Sequence, residues 1–324
     1  MHMADALISP GVGLAMAGIS AAAIGISCAK LRRDETFQEK LPLLAMAGAF
    51  VFAAQMINFA IPGTGSSGHI GGGLLLAALL GPWPALISLA IVLLIQCLLF
   101  ADGGLLALGC NIFNMAVIPC LCVYPLMKRV MEKNLLFGTL GAALISLPLG
   151  AFAVVLETTL SGITALPFAQ FAALMVPIHM AIAIGEGIAT AAVLIFVART
   201  RPQFLHLACD PEKARFNLSH TPLVATIGAA ALCIGLGLAA FASSLPDGLE
   251  WAVQKLAGEE TAGSTSALAA QAQHIQDTTA LFPDYTFTSG SFSAAWIAAL
   301  SGLLVTACLC YAVTRLVTRH RKAA

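Results

Sequence analysis

Apolar positions along the 324-residue chain gather into blocks, at 11–29, 41–60, 71–81, 84–101, 105–126, 135–156, 168–198, 222–243 and 292–314. Several approach the ~20 apolar residues that carry a helix across a bilayer. The third block is too short to cross fully and is fenced by GGG and GPWP. It is expected to form a half-helix or a tilted, partly re-entrant piece. Backbone of that kind is tolerated at membrane depth only where protein or a cavity buries it. The pattern predicts an all-α integral membrane protein, a seven-span bundle with a re-entrant glycine-rich loop plus a two-helix C-terminal hairpin.

The polar positions between the blocks set an orientation. Lys30, Arg32, Arg33 and Lys40 follow the first block, and Lys128, Arg129 and Lys133 the fifth. Arg199, Arg201, Lys213 and Arg215 follow the seventh, and Arg315, Arg319, Arg321 and Lys322 end the chain. With nine crossings and the N-terminus outside, all of these fall on the cytoplasmic face and only Lys255 falls outside, as the positive-inside rule requires. The C-terminus is therefore expected in the cytoplasm. The first block follows no Lys or Arg, so it reads as an uncleaved span and not as a signal peptide.

Residues 1–200 form one membrane domain, 201–220 a polar cytoplasmic linker, and 221–324 a two-span companion domain with an external loop at 244–291. That loop carries Asp247, Glu250, Glu259, Glu260, Asp277 and Asp284 against one lysine. The acids are scattered, which favours a solvated loop over a cation collector. No ligand set is obvious in it, so the companion domain is expected to serve turnover more than binding. No internal repeat suggests an inverted-repeat transporter.

Composition agrees with this picture. The chain is 59% hydrophobic and 10% charged, against about 25% charged for a soluble domain. Its formal net charge of zero points to no nucleic acid. Nine cysteines include Cys120-x-Cys122 and Cys308-x-Cys310 but no CxxC. Such pairs point different ways on a helix, and the thiols are expected to be buried as small hydrophobes.

The chemistry starts at "MHMADALISP". His2 is too large for the initiator methionine to be trimmed, so Met1 is expected to keep a free amine beside an imidazole. The amine of Met1, the amide nitrogen of His2 and its Nδ1 can close fused chelate rings on one metal. A fourth nitrogen completes a tetragonal set, which suits Ni(II) or Cu(II). "IPGTGSSGHIGGG" (61–73) offers His69 on the same face as the N-terminus, with six glycines around it. The alternative is a flexible turn with a surface histidine. Asp102 is expected near His69, able to bond an imidazole N–H and fix the ligating tautomer. Gln96, Asn111 and Ser67 are further candidates for that supporting ring. Asn111 and Asn114 also suit plain interhelical hydrogen bonding. His179 and Glu186 lie seven apart, on one face of the seventh span. They read as a proton or metal relay or, by preference, as helix–helix contacts.

"MHMADALISP", "GTGSSGHIGGGLLLAALLGPWPA", "LLIQCLLFADGGLLALGCNIFNM" and "AIGEGIATA" together resemble the cobalt/nickel substrate-capture components of energy-coupling-factor ABC transporters, the CbiM and NikM type. "LPDGLEW" (245–251) and "FPDYTF" (282–287) resemble the small companion subunit, CbiN or NikN, fused at the C-terminus. The resemblance implies that Ni²⁺ or Co²⁺ is a transported substrate held by Met1, His2 and His69, and that the chain sits in the cytoplasmic (inner) membrane of a prokaryote. It implies no chemistry on that substrate, no catalytic cofactor, and partners in the form of a transmembrane coupling component and two cytoplasmic ATPase subunits. The chain has no P-loop and no H-E-x-x-H. The rival reading is a secondary divalent-metal transporter driven by an ion gradient and using the His179/Glu186 face. A planar nitrogen set leans to nickel, but the residues do not decide between nickel and cobalt.

Overall fold

The computed structural model describes residues 1–34, 37–208, 221–236, 243–257, 266–285 and 292–319. Cys209, Lys213, Arg215, Glu259, Glu260, Arg321 and Lys322 lie outside the described residues, with most of the 201–220 linker. Seven described helices are long and apolar enough to cross a membrane. Six belong to the first 200 residues: α1 Pro10–Arg32, α2 Leu41–Gln55 with a short lead-in turn, α4 Pro82–Phe100, α5 Leu108–Lys133, α6 Leu135–Ser161 and α7 Phe168–Thr200. The seventh is α11, Phe292–Arg319, whose partner in the companion domain is α8, Thr221–Leu236.

The short third block becomes α3, Gly73–Leu80, every residue of which is buried. Eight residues rise only about 12 Å, so α3 does not span. A two-stranded hairpin, β1 Phe59–Ile61 paired antiparallel with β2 Ser66–Gly68, precedes it. The glycine-rich strand and coil lead into α3 inside protein, with Ser66, Ser67 and His69 buried. Gly81 ends α3 at φ 92°, a conformation that costs glycine little. Pro82 then opens α4 at the position where a missing N–H costs nothing.

α2, α3, α4 and α5 form the core, with Leu44, Phe52, Leu76 and Leu86 fully buried. α6 and α7 pack along each other, and α11 and α8 close against α2. α1 is the least covered span, with Leu14, Ile19 and Ile26 exposed. A helix apolar all round with one open face is in the right solvent when that face meets lipid. Cys120 and Cys310 are buried while Cys122 and Cys308 are exposed, so the paired thiols do point apart. Exposed Cys122, Cys233 and Cys308 correct the expectation that the thiols are all buried; they lie on outward faces of apolar helices.

In the companion domain the 244–291 stretch is not a plain solvated loop. It folds into α9, Gly248–Ala257, and α10, Ala267–Thr279. Both pack on the membrane domain, α9 on α7 and β2, α10 on α4.

Candidate metal-capture site

The first nine residues turn back into the end of the bundle. Met3 is fully buried. Its N–H donates to Asn111 Oδ1 at 2.7 Å, and its carbonyl accepts from Asn111 Nδ2 at 3.2 Å and from Gly104 N–H at 2.8 Å. Asp5 Oδ1 accepts the N–H of Ala107 at 2.9 Å. Asn111 therefore clamps the backbone one residue past the histidine and touches neither imidazole. Asn114 makes the interhelical bond expected of it, donating from Nδ2 to Glu157 Oε2 at 2.8 Å.

These anchors put the amine of Met1 beside two groups. Asp247 Oδ2 lies 2.6 Å away and His69 Nε2 3.3 Å away. His69 Nδ1–H donates to the carbonyl of Ile70 at 3.2 Å. That bond puts the ring proton on Nδ1 and leaves the lone pair of Nε2 facing the amine, the outer-bond arrangement typical of ligating histidines. The rings of His2 and His69 stack with centroids 5.2 Å apart. Burial, the nearby ammonium and the His2 ring push the pKa of His69 down to about 3. Burial likewise lowers that of His2, against the pull of Asp102. Burial thus favours the neutral form of both imidazoles, the form that binds metal.

Asp102 meets the imidazole of His2, whose ring stacks on His69. Its Oδ1 lies 3.2 Å from His2 Nδ1, and its Oδ2 accepts the hydroxyl of Tyr285 at 2.6 Å. His2 Nε2 lies 3.2 Å from Gln96 Oε1. Gln96 Nε2 donates to Gln55 Oε1 at 2.9 Å, and Gln55 Nε2 donates to the carbonyl of Gly71 at 2.8 Å. Ser67 reaches neither ring. Its Oγ donates to the carbonyl of Leu245 at 2.7 Å and its N–H to that of Pro246 at 2.8 Å.

Asp247 is the group that sequence reasoning missed, one of six scattered acids in a stretch quoted only for its resemblance. Its Oδ1 accepts the N–H groups of Leu249 and Glu250, both at 2.8 Å, and so caps α9. Its Oδ2 is left for the terminal amine. Burial alone would raise its pKa, but the ammonium beside it holds the carboxyl well below the usual range. With Tyr285 on Asp102, and Gln276 Nε2 donating to the carbonyl of Gly103 at 2.6 Å, the companion domain touches the site at three points. The sequence showed no obvious ligand set in its loop; the structure brings one of the loop's carboxylates, Asp247, to the terminal amine.

Glu186 and His179 are on one face of α7, as their spacing required. Glu186 does not meet another helix. Its two oxygens accept the backbone N–H groups of Gly71 and Gly72, at 2.9 and 3.1 Å. This holds the coil between His69 and α3. Glu186→Ala is expected to leave both donors unpaired, at about 1–3 kcal/mol each, and so to lower the melting temperature and weaken metal binding. Glu186→Gln keeps one acceptor oxygen and is expected to fall between the two. Equal melting curves for all three proteins would remove this role.

Among the described residues, no group of three His, Cys, Asp or Glu is placed to hold a metal. Fold and site together define a multi-pass helical membrane protein in which the amine of Met1, the rings of His2 and His69 and the Asp247 carboxylate meet at one end of the bundle. The chain belongs to the family of cobalt uptake substrate-specific transmembrane regions, whose model matches residues 2–204, and a PDGLE domain model matches residues 221–319. It is similar to the fused nickel transport protein NikMN of Rhodobacter capsulatus, 31% identical over 80% of this chain and 78% of that one. It is also similar to the cobalt transport protein CbiM of Acetoanaerobium sticklandii, 32% identical over 59% and 81%. A crystal structure described as a transition metal transporter superposes with a TM-score of 0.57 at 27% identity, over 67% of this chain and 100% of that one.

Proposed function

We propose that this chain captures Ni²⁺ or Co²⁺ for uptake as the substrate-binding component of an energy-coupling-factor transporter. A transmembrane coupling component and two ATPase subunits supply the power stroke, and the chain itself is not an enzyme. The observation that carries this reading is the buried amine of Met1, 3.3 Å from the lone-pair nitrogen of His69, with the His2 ring stacked alongside. The amine, the amide nitrogen and Nδ1 of His2, and Nε2 of His69 make up the proposed ligand set. Nδ1 of His2 faces Asp102 in the structure, so closing the chelate requires the ring to turn and the amine to leave Asp247. The positive-inside pattern supports a reading with this end of the bundle outside the cell and both the linker and the C-terminus in the cytoplasm. Residues 1–200 act as the capture domain and 221–324 as its companion.

A planar set of four nitrogens favours nickel, because d⁸ Ni(II) gains most from that geometry, and metal supply weighs in as well. The gradient-driven alternative would use the His179/Glu186 face, where both oxygens of Glu186 accept backbone N–H groups, a structural engagement that favours the first reading. The test is uptake of radioactive nickel in cells making the chain alone or with coupling and ATPase subunits. Uptake is expected only with the subunits. A full rate from the chain alone would make it a secondary transporter.

A further inference from the structure

A cavity of about 30 Å³ adjoins the terminal amine, room for one ion or a water or two. Met1, His69 and Asp247 line it from the capture site, and Asn114, His179 and Glu186 line it from α5 and α7. Glu186 is engaged by two glycine N–H groups. His179 is not so engaged, although it is only 1% exposed. Its Nδ1–H donates to the carbonyl of Met175 at 2.8 Å, which leaves the lone pair of the neutral ring on Nε2. That nitrogen has no hydrogen-bond partner. Asn114 spends its Nδ2 on Glu157, so its remaining atom is an acceptor too, and Oδ1 also has no partner.

Buried polar atoms are nearly always paired, and each exception asks for an explanation. Here the exceptions are an imidazole nitrogen and an amide oxygen, both lone-pair donors on one cavity. Imidazole suits nickel, and amide oxygen serves as a weaker donor. Gly248 packs against the ring: a side-chain carbon there would sit 3.1 Å from His179 Cε1.

We propose that this cavity is a second, transient station for the transported metal, anchored by Nε2 of His179 with Oδ1 of Asn114 as its partner. The proposal rests on the capture reading above. Two protein donors make a weak site, and an ion in transit needs sites weak enough to leave.

The experiment uses the full-length protein in nanodiscs, with Co²⁺ as the probe. His69→Ala is expected to bind two Co²⁺ ions weakly, one at the remaining nitrogens of Met1 and His2 and one at His179, and adding His179→Ala is expected to remove the second. His179→Cys is expected to show thiolate-to-cobalt charge-transfer absorption that its parent lacks. It reports directly on whether the ion reaches this position, and His179→Gln replaces the alanine variant if that one does not fold. Equal residual binding in the single and double variants, with no thiolate band, would overturn the station and leave the cavity to water. Failure of the capture reading looks different: His69→Ala would then bind cobalt as the unmodified protein does.

Discussion

One glycine added ahead of Met1 is expected to end metal uptake in cells that still make and insert the protein. The extension turns the amine of Met1 into an amide, which no longer pairs with Asp247 and offers His69 no ligand beside it. The amine sits 2.6 Å from Asp247 and 3.3 Å from His69, and the adjoining cavity of about 30 Å³ is too small for the added residue. Leaving a buried charge without its partner costs about 3–5 kcal/mol when nothing can relax. The Asp247 turn is therefore expected to release, together with its bonds to Ser67. Some metal would still bind. The new terminus, with its amine, two amides and the His2 imidazole, holds four nitrogens of its own. It would fill the plane without His69 and so uncouple the metal from the loop. The measurement is nickel uptake by C-terminally tagged protein with and without the added glycine, with the mature N-terminus read by mass spectrometry. Equal uptake by the two would mean that the amine of Met1 is not a ligand.

The spans were legible because bilayer thickness sets their length and composition, and the half-helix because GGG and GPWP bracket a run too short to cross. Chelate geometry and topology raised the pairing of Met1 with His69 but left a surface histidine as the alternative, and it was the family resemblance that implied the pair. Its surroundings were not legible. Asp247 meets an amine 246 positions away, and nothing local distinguishes it from the other acids of its loop. Asp102 was correctly placed at this end of the bundle, but which imidazole it meets depends on how Asn111 clamps Met3. Glu186 was read against other side chains, whereas its partners are backbone N–H groups, which side-chain patterning does not display. In each case local sequence marked a polar group as needing a partner, and long-range packing chose the partner.

His69→Ala is expected to weaken nickel binding by more than about 100-fold, beyond the 10–100-fold typical of losing an outer-shell partner, while the protein inserts and purifies normally. The hairpin that carries His69 is held by other bonds, from Ser67 to Leu245 and Pro246 and from the Trp251 indole to the carbonyl of Thr64 at 2.9 Å. Removing the imidazole therefore takes a ligand away without unpinning the loop. The pH profile separates ligand loss from loss of a titrating group. Burial and the ammonium hold the pKa of His69 at about 3, so between about pH 6 and 8 its ring is neutral both in the presence and in the absence of nickel and releases no proton on binding. The protons that nickel displaces in that window come from the amine and the amide, and affinity should rise with pH. Calorimetry across that range is expected to give parallel slopes for the unmodified protein and His69→Ala, offset by the lost ligand. A slope that flattens in the variant would mean that His69 itself gives up a proton. Unchanged affinity would place the fourth ligand elsewhere, with the Asp247 carboxylate, already against the amine, as the first group to substitute.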